Sequence, residues 1–434
     1  MPHCSGQDNS LPDVRTAPGK FIALDALRGM AAFVVFVGHF CDGLVPAIST
    51  RAAGTPLYTA LNGPAAVVLF FVLSGFVLTV RPLQQRRLVP VAVMALKRWP
   101  RLAGPTTLAG LAICLAWILG AFPHAAPFLH RLPPHAPPYL FWGELEHNER
   151  LGDVLREAAW GTFVRESSQH NPVLWTMHWE LLGSFLAACL AAVLLTRLPW
   201  PVRALLFAAF WVAAAKISPW LVVFPVGVAG ALVHRTIGAR LVIEGRFAVP
   251  MALCGLLLLS WDLRTNAGMW AWSLSLSFNP RLWTWLATQA VGASMLMAVM
   301  LYNPGTQRAC TGRLGAIAGK LSFPFYLVHL QVICTLGAWL YLLQLPAQPS
   351  AWTNAALFVL ITIAAFLAAT PLMLFDQWWI GALSRAASAA TGWAAPATAT
   401  AHAAGLSTRI PAPGRSAHLP HGGQSTPPPG VVPH

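Results

Sequence analysis

Ten stretches of this chain are apolar over most of their length: 22–42, 59–80, 104–122, 172–195, 203–218, 219–234, 247–263, 283–302, 321–343 and 353–375. A run of about 20 such residues is long enough, as a helix, to cross a bilayer's hydrocarbon. Inside hydrocarbon every backbone N–H and C=O must be satisfied within the protein, which leaves helices and closed barrels. Continuous apolar runs without strict alternation select the helix. With 56% of residues hydrophobic and only 10% charged, far below the roughly 25% charged of a soluble domain, the expected fold is an all-α, polytopic transmembrane helix bundle of about ten spans. The fifth, sixth and seventh runs are the shortest.

The net charge of +14 does not mark a nucleic-acid binder, because the basic residues gather in alternate connections. Arg81, Arg86, Arg87, Lys97, Arg98 and Arg101 follow the second run, Arg197 and Arg203 the fourth, Arg235, Arg240 and Arg246 the sixth, and Arg308, Arg313 and Lys320 the eighth. That alternation is the positive-inside pattern. It places both termini in the cytoplasm, the expected location being a bacterial inner (plasma) membrane, and puts 123–171 outside. This outer segment is rich in Pro, Trp and His, and its "RLGDVLREAAWGTF" reads as short interfacial helices where an acceptor could first dock. Residues 1–20 are polar and lack the apolar core of a signal peptide. The expected division is a cytoplasmic segment 1–20, a membrane domain 21–385 and a disordered Pro/Ala/Gly/His-rich tail 386–434. The seven scattered cysteines have no metal spacing and read as small apolar residues of helices; no metal site is expected.

The first run, "LDALRGMAAFVVFVGHF", carries Asp25, Arg28 and His39. Ionisable groups in hydrocarbon are costly and need a partner or a task. Eleven residues return a helix to within about 20° of the same face, with a rise of about 16 Å. Arg28 and His39 therefore share one stripe, and Asp25, three residues before Arg28, can pair with it. A helix-locking Asp–Arg pair with a capping His is the plain structural alternative. The second run holds Ser74–Gly75 in "FFVLSGFVLT", a close-packing notch or a polar handle. "ALKRWPRLAGP" puts Arg98 and Arg101 three apart on what reads as a short helix at the cytoplasmic surface, suited to phosphates or to simple membrane anchoring. Glu180 in "LWTMHWELLGSF" and His329 in "LSFPFYLVHL" lie within spans. Together these suggest Arg28, Ser74, Arg98 and Arg101 toward the cytoplasm, and His39, Glu180 and His329 toward the outside. A histidine is suited to serve as general base near neutral pH.

These segments resemble the acyltransferase-3 family of integral membrane acyltransferases. "LDALRGMAAFVVFVGH" is similar to its first-helix Arg, ten residues, His motif, and "FFVLSGFVLT" to its Phe-Phe-x-x-Ser-Gly-Phe signature. "KRWPRLAGP", "LWTMHWELLGSF" and "LGAIAGKLSFPFYLVHL" resemble its later elements, in family order across about 21–335. Departures are Ala26 for the usual Gly, Phe323 for the common Tyr, and "LFDQWW" in place of a Glu-x-Pro close. The resemblance implies transfer of an acyl group, usually acetyl, from acyl-CoA to a hydroxyl of a surface polysaccharide or glycolipid, with acetyl-CoA or another acyl-CoA as donor substrate and no resident cofactor. It implies that Arg28 and His39 are essential. On this reading His39, Arg28 and Glu180 are the catalytic candidates, and Asp25, Ser74, Arg98, Arg101 and His329 the substrate-binding ones. The expected partners are acyl-CoA, a carbohydrate or glycolipid acceptor and the bilayer, with no nucleic acid. A transporter or flippase that gates a path with the same charges is the main alternative, and a membrane glycan polymerase the second.

The charge pattern fixes a topology that reporter fusions can read. Fusions at Gly312 and Ser388 should report the cytoplasm and one at Glu144 the outside; an external signal at Ser388 would rule out an even number of spans.

Overall fold

The structure, a computed structural model, describes residues 21–123, 151–344 and 350–391. Its backbone is helical with no strand among the described residues. Ten helices matter here: α1 (Ile22–Leu44), α2 (Gly63–Gln85), α3 (Val89–Ile118), α4 (Trp175–Leu195), α5 (Trp200–Ile217), α6 (Val223–Ile237), α7 (Gly245–Leu259), α8 (Phe278–Tyr302), α9 (Arg313–Val332) and α10 (Ala351–Thr391). Among the described residues nine helices are long and apolar enough to cross a membrane; the tenth, α7, is a shorter apolar helix.

The bundle is built around α2, which packs against α1, α4, α6 and α8. Its approach to α6 is close because glycines face each other there. A Cβ on Gly75 would lie 2.3 Å from the Phe224 carbonyl oxygen, and one on Gly227 would lie 2.1 Å from that of Val72. The Ser74–Gly75 pair thus does both jobs open to it: the glycine makes the notch and the serine turns toward polar neighbours. Along the other flank α1 packs on α9, and α9 on α10.

Three expectations shift. The seventh span is only 15 residues, about 22 Å of helix, too short for a hydrocarbon core of about 30 Å. It can stop early because neighbours cap it. Asn62 Nδ2 donates to the carbonyls of Leu259 (2.8 Å) and Trp261 (2.9 Å), Trp285 Nε1 also donates to Trp261 O (2.8 Å), and Gln289 Nε2 donates to Leu258 O (3.2 Å). The carbonyls of Leu258 and Leu259 belong to the last turn, which a helix otherwise leaves bare, and that of Trp261 lies just past its end.

The third span starts at Val89, fifteen residues before the expected 104, and carries Lys97, Arg98 and Arg101 inside one continuous helix instead of on a short surface helix. Partners on α4 and α10, described below, make that burial possible. The last helix runs to Thr391, past the expected domain end at 385; residues 392–434, and with them most of the expected tail, lie outside the described residues.

The segment expected to lie at the outer interface does form short helical turns, at Leu151–Arg156, Glu157–Gly161 and Thr162–Val164; its residues 124–150 lie outside the described residues. It does not rest at a helix end but packs along α3. Thr106 Oγ1 donates to Ala158 O (2.8 Å), Trp99 Nε1 donates to Ala159 O (3.2 Å), and the Trp99 and Trp160 rings meet edge to face at 5.4 Å. The return from this insert is pinned by His170, whose backbone N–H (3.1 Å) and Nδ1 (2.8 Å) both bind the Glu157 carboxylate. Burial opposes the charged form of Glu157, but His170 outweighs it and holds the carboxyl below its ordinary value.

Because the α2–α6 crossing has no room for a side chain, Gly227→Val should separate the helices. A loss of about 1–3 kcal/mol, the usual range for overpacking, is expected as a lower thermal midpoint in detergent. Val at Gly245, where nothing lies within 4 Å of an added Cβ, should leave the midpoint unchanged.

Candidate active site

A cavity of about 150 Å³ opens between α1, α2, α3, α4 and α9, and three arginines line it: Arg28, Arg98 and Arg101. Each reaches it for a different reason. Arg28 follows from the face of α1 that meets α9. Arg98 is drawn in by α4: its Nη2 donates to Glu180 Oε1 and its Nε to Ser184 Oγ at 2.6 Å. Ser74 from α2 donates to the same Glu180 oxygen at 2.6 Å. Arg101 is drawn in by α10: Nη1 and Nη2 donate to the two Asp376 oxygens at 2.6 and 3.1 Å, the two-pronged geometry that guanidinium and carboxylate share. The Phe323 ring lies beneath this guanidinium, 5.4 Å from centroid to carbon, a contact that needs an aromatic face and no hydroxyl.

Two carboxylates and three guanidiniums thus meet in low dielectric, where both pairings also have hydrogen-bonded support. Glu180 and Asp376 are 7% and 2% exposed. Arg28 makes no side-chain hydrogen bond or ion pair among the described residues. The Arg98 and Arg101 side chains are committed to internal partners, so they stand behind the site as fixed positive charge. The remaining wall is Thr176, Tyr326, Ser322 and apolar side chains of α2, α3 and α4. Tyr326 OH lies 2.9 Å from Thr176 Oγ1 and donates to Val173 O at 2.8 Å, which ties α9 to the start of α4.

Glu180 was expected beside His39; it belongs with the arginines, because Arg98 and Ser74 claim its carboxylate. Asp25 stands outside the cavity where α1 crosses α9, its Cβ 2.5 Å from where a Cβ on Gly319 would be. His39 and His329 lie together beyond Tyr326. His329 Nε2 is 3.3 Å from His39 Nδ1, and the Tyr326 and His329 rings are 5.8 Å apart. His39 is partly accessible while His329 is wholly buried.

One turn past His39, Asp42 accepts from Ser49 Oγ (2.7 Å) and Arg264 Nη1 (3.1 Å), and Arg264 also reaches Asp262 at 3.3 Å. The sequence reading missed Asp376 and Arg264. Asp376 had a signal, an acid next to the last apolar run, which in a membrane asks for a partner. Arg264 had none, being a loop residue in a hydrophilic patch.

The Arg101–Asp376 pair should behave as a unit. Asp376→Asn leaves a buried guanidinium uncompensated, a change that costs about 3–5 kcal/mol when the pair is fully enclosed and less here, since the Arg101 side chain is 25% exposed. Adding Arg101→Gln to Asp376→Asn should recover part of the lost thermal stability. Additive losses in the double variant would show that the two side chains do not depend on each other.

No curated protein and no solved structure matches the chain significantly. The family model described as an acyltransferase domain matches residues 21–374. That span takes in the arginine cavity and the histidine pair, and all but the last two residues of the stretch leading to Asp376. The ordered motifs and the buried helices that carry them fit that match, and the chain belongs to the acyltransferase-3 family as an integral membrane acyltransferase.

Proposed function

We propose that the protein moves an acyl group, acetyl in the simplest case, from acyl-CoA to a hydroxyl of a carbohydrate or glycolipid bound for the cell surface. We place it in a bacterial inner membrane with both chain ends in the cytoplasm. The observation that carries this reading is the division of α1. Arg28 faces a cavity of net positive charge, and His39 sits on the same helix face about 16 Å further on. At about 150 Å³ the cavity suits one end of the donor, since sites for whole drug-sized ligands run from about 300 Å³. Arg28, backed by Arg98 and Arg101, would hold a donor phosphate. The long, slim pantetheine arm suits a donor site and a base that lie apart.

In the transfer, His39 Nε2 takes the proton of the acceptor hydroxyl. Its oxygen forms a bond to the acyl carbon, the carbon–sulfur bond breaks, and the CoA thiolate leaves and recovers the proton from His39. Positive charge from Arg28 anchors the donor phosphates. Glu180 acts here through Arg98, as a positioning residue, and Ser74 holds Glu180. Asp25 and His329 are placed around the site without lining the cavity.

Removing a general base typically costs about 10²–10⁴ in rate. His39→Gln should fold, bind CoA as the wild type does and lose transfer by that factor, while Arg28→Ala should lose CoA affinity. Release of free thiol from acetyl-CoA by the purified protein with a hydroxyl acceptor is the measurement. Retained activity in His39→Gln would make His39 structural. CoA release absent from an active, folded wild type would favour the flippase reading.

A further inference from the structure

The two facing imidazoles carry an arrangement of protons that their surroundings fix. His329 Nδ1 lies 2.8 Å from Tyr326 O and 3.2 Å from Phe325 O. Carbonyl oxygens only accept, so Nδ1 carries the hydrogen and donates it; a neutral imidazole then has its lone pair on Nε2. His39 Nδ1 lies 3.0 Å from Val35 O, which by the same rule makes it N–H as well. The one hydrogen on His39 Nδ1 is therefore shared between Val35 O and the lone pair of His329 Nε2, 3.3 Å away. The opposite assignment would set a nitrogen lone pair of each ring against carbonyl oxygens.

We propose that His329 is a positioning residue that holds His39 in the tautomer with Nδ1 protonated and the basic lone pair on Nε2, ready to take a hydroxyl proton. His329 can do this because it cannot turn. It is 0% exposed, and the Phe325 ring lies nearly parallel to it (18°, centroids 6.0 Å) while Phe36 meets it edge to face at 6.4 Å. When His39 gains the proton it becomes an imidazolium, and the Nδ1–H bond to His329 becomes charge-assisted, hence stronger. The His39–Val35 bond by itself ties the ring only to its own helix. The bond to His329 ties it to α9, so the orientation of the base depends on the packing of α1 against α9. The assignment of His39 as base rests on the acyl-transfer reading; the tautomer does not.

The test uses full-length protein in lipid nanodiscs, labelled with nitrogen-15 histidine, the His39 signals being identified by their loss in His39→Gln. The wild-type spectrum should show His39 with Nδ1 protonated and Nε2 bare. His329→Phe keeps a ring but no lone pair. It should give mixed His39 tautomers, lower kcat by about 10–100-fold, the usual cost of losing a histidine's orienting partner, and leave KM for acetyl-CoA unchanged. His329→Gln offers a carbonyl to the same N–H and should recover most of the rate and the single tautomer. Wild-type His39 protonated on Nε2, or His329→Phe with unaltered tautomer and kcat, would overturn the proposal. Should His329→Phe not fold, His329→Gln decides, since mixed tautomers there also overturn it. A folded wild type that transfers no acyl group defeats the acyl-transfer reading instead, while the spectra still settle the tautomer.

Discussion

Positive charge carried into a low-dielectric interior is what the rest of this bundle is arranged around. Arg98 and Arg101 enter on α3, and each is met by a carboxylate from a different helix, Glu180 on α4 and Asp376 on α10. Breaking either buried pair would be costly, which favours packing in which α3 lies against both α4 and α10. Further contacts secure the same seam. Trp379 Nε1 donates to Pro100 O at 2.7 Å, and the Trp379 ring fills the place a side chain on Gly104 would take. Pro100 lies inside α3 within the basic stretch and lacks an N–H for the helix ladder; its own carbonyl is the one that Trp379 of α10 binds.

The same pairing separates function from support. A cluster of three guanidiniums reads as one anion site, but two of them are spent on holding helices together. What they give the cavity is potential and rigidity. Arg28 differs because no side chain among the described residues is hydrogen-bonded or ion-paired to it. On the proposed reading function depends on α1, which presents Arg28 to the cavity and His39 to His329.

The apolar text was enough to read the class of fold, and a helix that returns the same face every eleven residues put Arg28 and His39 on one stripe; it counted ten spans where nine of the described helices are long and apolar enough. Contacts between distant parts of the chain were not legible. Arg98 and Arg101 looked like a surface patch because basic residues usually end a span, and nothing local announces partners 82 and 275 residues away. Glu180 was assigned to the wrong layer for a related reason: depth along α4 says how far a side chain lies from one surface, not which neighbour it meets. Asn62, which the sequence reading did not single out, looks locally like a plain helix cap. It is one, its side chain accepting from Ala65 N at 3.2 Å, yet its amide also closes the end of α7 nearly two hundred residues later. The insert along α3 was legible as helix but not in position, since interfacial and protein-buried short helices share a composition.

The early end of α7 changes the path by which a polar molecule can approach. Beyond Leu259 the chain no longer offers apolar helix but Asp262, Arg264 and Asn266, and Arg264 binds Asp42, one turn from His39. On this flank hydrogen-bonding groups reach inward almost to the imidazoles. On the proposed reading, an acceptor hydroxyl approaching along this flank would meet protein hydrogen-bonding partners on its way to His39 and could exchange water for them stepwise instead of shedding its hydration all at once.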